Sequence, residues 1–392
     1  MGNEMHWVGT WSASPQPPEA PVALPLPSSF ANQTIRQIVR ASIGGSNVRV
    51  RLSNEFGTTP LAIAAATIAT HTSRAAVDSE SIRTLTFSAA RSVTIPAGAP
   101  VLSDPVDLEV AALGSLAISI YLASPISQVT SHVLGMSSSF VSPMGDYSRA
   151  ADMPTLVTTT SWYFLTGVSV CTSTDHAAIV AVGDSITDGF GSSVDAHARW
   201  PSVLAARLQA SSDTRHLAVL NQGIGGNRLR TDMFGPSLLS RLDRDLLSAP
   251  GARYVVVLAG INDIGIPGAF ERPEQKVTTR DIVDALRQVS ERGRERGLVV
   301  FGSTLTPFEG TIMPGFFTAA GERKRQAVNE WIRTSGEFDA VVDFDAAVRD
   351  PTHPSRMRPH YHCGDSLHPS DAGYRAMAEA IDLSLFRASA RR

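Results

Sequence analysis

Ala177-Ala178-Ile179-Val180-Ala181-Val182, followed at once by Gly183-Asp184-Ser185-Ile186-Thr187-Asp188-Gly189, is the stretch that decides the fold. Six consecutive apolar side chains leave no polar face, which fits a strand buried on both sides of a parallel sheet. Downstream the same grammar repeats. Trp200–Gln209 has a helical pattern, Leu217–Leu220 is apolar, Ser237–Leu247 is helix-like and Tyr254–Leu258 is apolar again. Asp281–Arg296 reads as a helix, Leu298–Ser303 as a strand, Ala319–Thr334 as a helix, Ala340–Asp343 as a short strand and Ser370–Phe386 as a final helix. Alternation of this kind implies a parallel sheet between helical layers. In such sheets the functional edge lies beyond the carboxyl ends of the strands, so the residues just after each apolar run are the candidates.

Upstream the grammar is different. Gln33–Ile43 and Asn47–Ser53 alternate in polarity around Gly44-Gly45-Ser46, a pattern that reads as a hairpin. Short apolar or β-branched runs follow at Leu61–Thr70, Ser81–Phe87, Ser115–Ala123, Val129–Val141 and Trp162–Val170, divided by Gly, Pro, Ser and Asp. Many short strands without a long helical period predict an all-β sandwich or jelly roll over residues 1–174, ahead of an α/β domain over 175–392. The Pro-rich Ser14–Pro27 reads as an extended surface segment.

Composition narrows the function classes. With 43% apolar and 18% charged residues in a chain of 392, a large packed core is expected. The net charge of −3, without any block of like charges, argues against a nucleic-acid binder, which needs a basic face. No apolar run approaches the roughly 18 residues of a membrane span. Met1–His6 carries neither a basic nor an apolar stretch, so no secretory leader is expected in the numbering as it stands, and the compartment stays open. Cys171 and Cys363 are too few for a disulfide-built fold or a four-cysteine zinc site; they permit one bridge or two separate buried thiols.

Four blocks fall at the expected functional edge. They are Gly183–Gly189, Asn221-Gln222-Gly223-Ile224-Gly225-Gly226-Asn227, Gly260-Ile261-Asn262-Asp263 and Asp365-Ser366-Leu367-His368-Pro369. Each alone is an ordinary turn: Ser185 or Asp188 would cap a helix, Asn262 would close a turn, and Asp263 reads as structural. Asp365 and His368 would form a surface pair before a helix capped by Ser370 or Asp371. Together they supply a nucleophile, a base, an orienting carboxylate and oxyanion donors, which are the parts of acyl transfer.

This ordered set resembles the SGNH (GDSL) hydrolase superfamily over roughly residues 177–387. The resemblance implies a flavodoxin-like three-layer α/β/α core, behind an N-terminal β-domain that accompanies some relatives. It implies that Ser185 is the nucleophile, His368 the general base and Asp365 the residue that holds the imidazole. Gly226 and Asn262 would complete an oxyanion hole with the Ser185 N–H. It further implies ester or thioester hydrolysis without a cofactor. Other signatures are missing: there is no Gly-x-Ser-x-Gly elbow, no complete dinucleotide fingerprint, no P-loop and no His-Glu-x-x-His. His353, His360 and His362 lack zinc-site spacing and read as loop histidines; no metal is expected.

Phe190, Met233, Phe234, Ile264 and the segment Phe308–Phe317 are apolar candidates for an acyl pocket, with core packing or a dimer contact as the competing role of each, Phe308 and Phe317 included. No charged cluster marks a phosphate-bearing substrate, so a small neutral ester is the default, with an acetylated carbohydrate as the alternative. The β half carries Trp7, Trp11, Trp162 and Tyr163, which suit either sugar stacking or burial. A glycan-binding module with an inactive hydrolase half is the remaining reading from a different class.

Overall fold

The computed structural model describes residues 5–17 and 27–387. Most of the Pro-rich Ser14–Pro27 segment, and Met1–Glu4, lie outside the described residues. Two compact units result, one of Met1–Ala177 with His216–Leu220, the other of Ala178–Arg215 with Asn221–Arg392.

The first unit is built from antiparallel sheets. A four-stranded sheet runs in the order Met5–Ser12, Leu165–Ser173, Ser46–Ser53, Pro100–Leu102. A seven-stranded sheet runs Val157–Thr159, Ser139–Met144, Gln33–Arg40, Ser115–Leu122, Ala65–Ser73, Ala76–Val77, with Arg83–Thr84 also on Ala65–Ser73. Alternation survives where one face is open: in Ser46–Ser53, Val48, Val50 and Leu52 are fully buried. Burying each such side chain contributes about 1.5–3 kcal/mol.

The hairpin expected around Gly44-Gly45-Ser46 does not form. Gln33–Arg40 pairs with Ser115–Leu122 and Ser139–Met144, whereas Ser46–Ser53 belongs to the other sheet. The two glycines serve a crossing between sheets. A Cβ on Gly44 would lie 2.6 Å from the Val110 carbonyl oxygen, and one on Gly45 2.8 Å from that of Cys171. Gly45 and Val110 exchange two backbone hydrogen bonds at this passage, 3.0 and 2.9 Å. The aromatic platform also closes. Trp162 and Tyr163 are buried, and Trp162 donates its indole N–H to the Ile38 carbonyl at 3.1 Å. Trp11 packs edge-on against Trp162, and Trp7 lies under the Arg49 guanidinium.

A five-stranded sheet is built mostly from residues of the second unit, with Ala177 and residues 217–220 grouped in the first. In chain order its strands are Ala177–Gly183, Leu217–Gly223, Ala252–Leu258, Val299–Ser303 and Ala340–Val342, and across the sheet they lie second, first, third, fourth, fifth. The first–third, third–fourth and fourth–fifth pairings are parallel. All seven residues of the first strand are buried, as its unbroken apolar run requires. This order reverses direction between the first and third strands, the switch point where doubly wound sheets open a crevice.

Among the described residues the strands are followed by α1 (Ser185–Asp188), α2 (Trp200–Gln209), α3 (Leu238–Leu242), α4 (Ile261–Ala269), α5 (Thr279–Glu295), α6 (Ala319–Thr334), α7 (Phe344–Val348) and α8 (Asp371–Glu379). One π-helical turn, Asp243–Leu247, continues α3. In α5, Thr278 and Asp281 form a capping box, and Ile282, Ala285, Leu286 and Val289 make its buried stripe. Helix α4 was not expected, because Gly265, Pro267 and Gly268 are helix breakers by propensity. Packing overrides them. Among the described residues no helix is long and apolar enough to cross a membrane. Both cysteines are free thiols; Cys171 is half-buried and Cys363 exposed, so neither the bridge nor the pair of buried thiols is present.

Candidate active site

Ser185 opens α1 directly behind the first strand. The helix cap is Asp184, whose carboxylate accepts from the Ile186 N–H at 3.0 Å; neither Ser185 nor Asp188 takes that role. The Ser185 hydroxyl is thereby left for another partner. Its Oγ lies 2.8 Å from Nε2 of His368, and Nδ1 of His368 lies 2.6 Å from Oδ2 of Asp365. The other Asp365 oxygen accepts the N–H groups of Leu367 and His368 at 2.9 and 2.8 Å. Serine, imidazole and carboxylate thus form one hydrogen-bonded line, with the imidazole between them.

The electrostatics follow from these contacts. Burial pushes the Asp365 carboxyl up. The His368 hydrogen bond and charge, with the two loop N–H groups, more than offset it and hold the group well below the usual carboxylate range. Phe190 packs its ring on the imidazole of His368, centroids 4.5 Å apart, and the Tyr374 hydroxyl holds the Phe190 carbonyl at 2.7 Å. His362 is engaged on the same loop: its Nδ1 accepts from the N–H groups of Gly364 and Ser366 at 3.1 and 3.3 Å. Ser370 caps α8, and Asp371 accepts from the Ser193 N–H.

The glycine turn and the asparagine are fixed by further contacts. As the first residue of α1, Ser185 carries one of the N–H groups that a helix start leaves unpaired. Gly226 has φ +70°, and a Cβ there would stand 2.4 Å from the Phe234 ring, so only glycine fits. Asp188, which ends α1, accepts the Gly225 N–H at 3.1 Å and ties the serine helix to this turn. Asn262 gives one amide hydrogen to the Asn227 carbonyl at 3.0 Å, which sets the plane of the group and leaves its second hydrogen unspent on that bond.

The expected pocket residues separate. Phe190 is 37% exposed and borders the imidazole. Phe234 is half-buried against Gly226 and Phe270. Ile264 is half-buried, with its Cγ2 against Gly321 in α6. Phe308 is fully buried, packed edge-on against Phe316 and Phe317, so the core role is the one it fills. Phe317 is half-buried beside it. Sequence reasoning missed Asp184 as the cap and Arg241, Asn227 and Arg199 as buried groups near the strand ends. The only signal for Arg241 was its i,i+4 spacing from Asp245.

Two carboxyls beneath the site are unusual. Burial raises Asp263 to about 6, against the pull of the Leu229 N–H and the Arg228 charge. Burial raises Asp184 to about 7, opposed by the Ile186 N–H and increased by the Asp263 charge. A raised folded-state pKa means the native state holds protons that the unfolded chain has released. Their contribution is therefore most favourable near pH 4 and falls as pH rises through 6 to 7. Asn at position 263 keeps an acceptor for the Leu229 N–H, at 2.8 Å in the native protein, and removes the titration. Thermal unfolding of Asp263→Asn from pH 4 to 8 should show a flatter profile than wild type, with a difference of up to about 3 kcal/mol across that range. Identical profiles would show that Asp263 carries no such penalty.

The GDSL-like lipase/acylhydrolase family model matches residues 181–376. Among solved structures, an α/β hydrolase enzyme from the metagenome of Lake Arreo, Spain, is 22% identical, with 54% of this chain and 95% of that one covered and a TM-score of 0.43. A GDSL-like lipase from Bacteroides thetaiotaomicron is 19% identical, covering 54% and 88%, with a TM-score of 0.38. A catalytic mutant of an acetylxylan esterase from Geobacillus stearothermophilus is 22% identical, covering 52% and 91%, with a TM-score of 0.41. A search of curated proteins found no match.

Proposed function

We propose, from the premise that this chain belongs to the GDSL-like lipase/acylhydrolase family, that it is a serine-dependent carboxylic ester hydrolase acting on small, short-chain acyl esters. The observation that carries this is the continuous Ser185–His368–Asp365 hydrogen-bond line. Serine is protonated and weakly nucleophilic near neutral pH, so a neutral imidazole must take its proton during attack. His368 is placed to do so through Nε2, while Asp365 holds Nδ1 and stabilises the imidazolium that forms. Ser185 Oγ attacks the ester carbonyl, and its proton passes to His368. The tetrahedral intermediate collapses as His368 returns that proton to the departing alcohol. Water then gives a proton to His368 and attacks the acyl-enzyme, and the proton returns to Ser185 as the acid leaves.

The developing oxyanion needs donors that are in place before charge appears. The Ser185 and Gly226 N–H groups and the second Asn262 amide hydrogen fill that role in this reading. Asn262→Ala should lower kcat by about 10²–10³ with little change in KM. Steady-state kinetics on a folded variant checks it, and unchanged turnover would remove Asn262 from the mechanism.

The function itself is tested by hydrolysis of p-nitrophenyl esters from acetate to palmitate. Highest kcat/KM on acetate to butyrate is the expected result. A maximum at long chains would overturn the short-chain assignment. Activity on acetylated xylan far above any simple ester would move the assignment to a carbohydrate O-acetylesterase. Absence of turnover on every ester would overturn the hydrolase reading.

A further inference from the structure

One buried cation is shared by the strand ends that carry the site. Arg241, on α3, is 2% exposed, and all five of its N–H donors have acceptors. Nη2 donates to the Gly183 carbonyl at 2.8 Å, two residues before Ser185. Nη1 donates to the Gln222 carbonyl at 2.7 Å, just before the turn that presents Gly226, and to the Asp245 carboxylate at 2.7 Å. Nε and Nη2 both reach the Asn227 side-chain oxygen, at 3.1 and 2.9 Å. Asn227 follows Gly226 directly, and its own carbonyl accepts the Asn262 amide at 3.0 Å. The Asn227 amide nitrogen is in turn fixed on the Pro236 carbonyl at 2.8 Å.

We propose that Arg241 is a positioning residue for oxyanion stabilisation, setting through Gly183, Gln222 and Asn227 the relative placement of the Ser185, Gly226 and Asn262 donors. The inference rests on the ester-hydrolase reading above and assigns a role to a residue that touches no substrate. Fold stability alone is a weak reason for such a group. A buried ion pair is often matched or bettered by apolar packing of the same volume, because desolvation offsets the Coulomb gain. What an apolar replacement does not reproduce is a rigid planar fork that spans two strand-end carbonyls and an asparagine at once. Lysine keeps the charge and loses the fork. Oxyanion donors act only within a few tenths of an ångström of the right place, and a shift near 1 Å costs up to about 10² in rate.

The test compares wild type with Arg241→Lys, Asn262→Ala and the double variant on p-nitrophenyl acetate, with folding monitored by circular dichroism and thermal unfolding. Arg241→Lys should lose about 10² in kcat while KM stays within about twofold. In the Asn262→Ala background the same change should cost clearly less than it does in wild type, because one of the three donors it positions has already gone. A folded Arg241→Lys enzyme with wild-type kcat would overturn the proposal. So would a loss that multiplies fully with that of Asn262→Ala. If Arg241→Lys does not fold, Asn227→Ala takes its place, since it removes the oxygen held by Nε and Nη2 and leaves the backbone carbonyl. A kcat loss with KM unchanged is then expected, and wild-type kcat would overturn the role. Wild type without ester turnover would instead refute the hydrolase reading, so the two failures are distinguishable.

Discussion

Ser185→Ala should reduce kcat on a p-nitrophenyl ester by about 10⁶, the scale seen when a triad nucleophile is removed, while KM changes little. The hydroxyl lies 2.8 Å from His368, and α1 is capped by Asp184 and not by this residue, so alanine leaves the helix start intact. A residual rate above the uncatalysed reaction is expected, because the proposed oxyanion donors and the binding site remain. The variant should also resist labelling by a serine-reactive organophosphate that modifies the wild type at one position. If Ser185→Ala keeps a tenth or more of wild-type kcat, another group is the nucleophile. Cys363, close in sequence to Asp365, is poorly suited: partial desolvation of its thiol and the Asp365 charge raise it above the ordinary value, opposite to the shift a reactive thiolate needs.

Much of the second unit was legible because its signals are local and strong. The apolar run at Ala177–Val182 became the fully buried first strand, and Trp200–Gln209 and Ala319–Thr334 are helices with the expected bounds. The candidate site was legible through co-occurrence, since three weak turns behind the first three strands and the loop before α8 meet on one edge only if the sheet is parallel. Where long-range pairing decides, the sequence was silent. Gln33–Arg40 and Ser46–Ser53 look like hairpin arms because alternation says which face is buried and nothing about the partner strand. Val129–Val141 was read as one strand and holds two short ones, Ser131–His132 and Ser139–Met144, in different sheets. Arginine is exposed by default, so Arg199 gave no sign of burial and Arg241 only its spacing from Asp245. The distinction between Phe190, on the imidazole, and Phe308, in the core, depends on loop geometry that composition does not encode.

Asp365→Asn is the sharper test of mechanism, because it changes one atom and keeps the loop. In the native protein Oδ1 accepts both the Leu367 and His368 N–H groups, and the asparagine oxygen can do the same. The new NH₂ then faces Nδ1 of His368, which must become an acceptor. That choice places the imidazole proton on Nε2, the nitrogen facing Ser185, and a protonated Nε2 cannot take the serine proton. The expected result is a kcat loss of about 10⁴ with near-native structure and KM. A second readout separates this from simple loosening of the loop. The Asp365 carboxyl is held below its ordinary value when folded, so the native state binds fewer protons than the unfolded chain near pH 4. Its contribution is present above the unfolded pKa and is lost as pH falls through the range below it. Wild type should therefore lose thermal stability on going from pH 6 to pH 3 more steeply than Asp365→Asn does. A variant with the flatter acid profile and wild-type kcat would leave Asp365 a structural residue, and His368 would then need another partner to hold its tautomer.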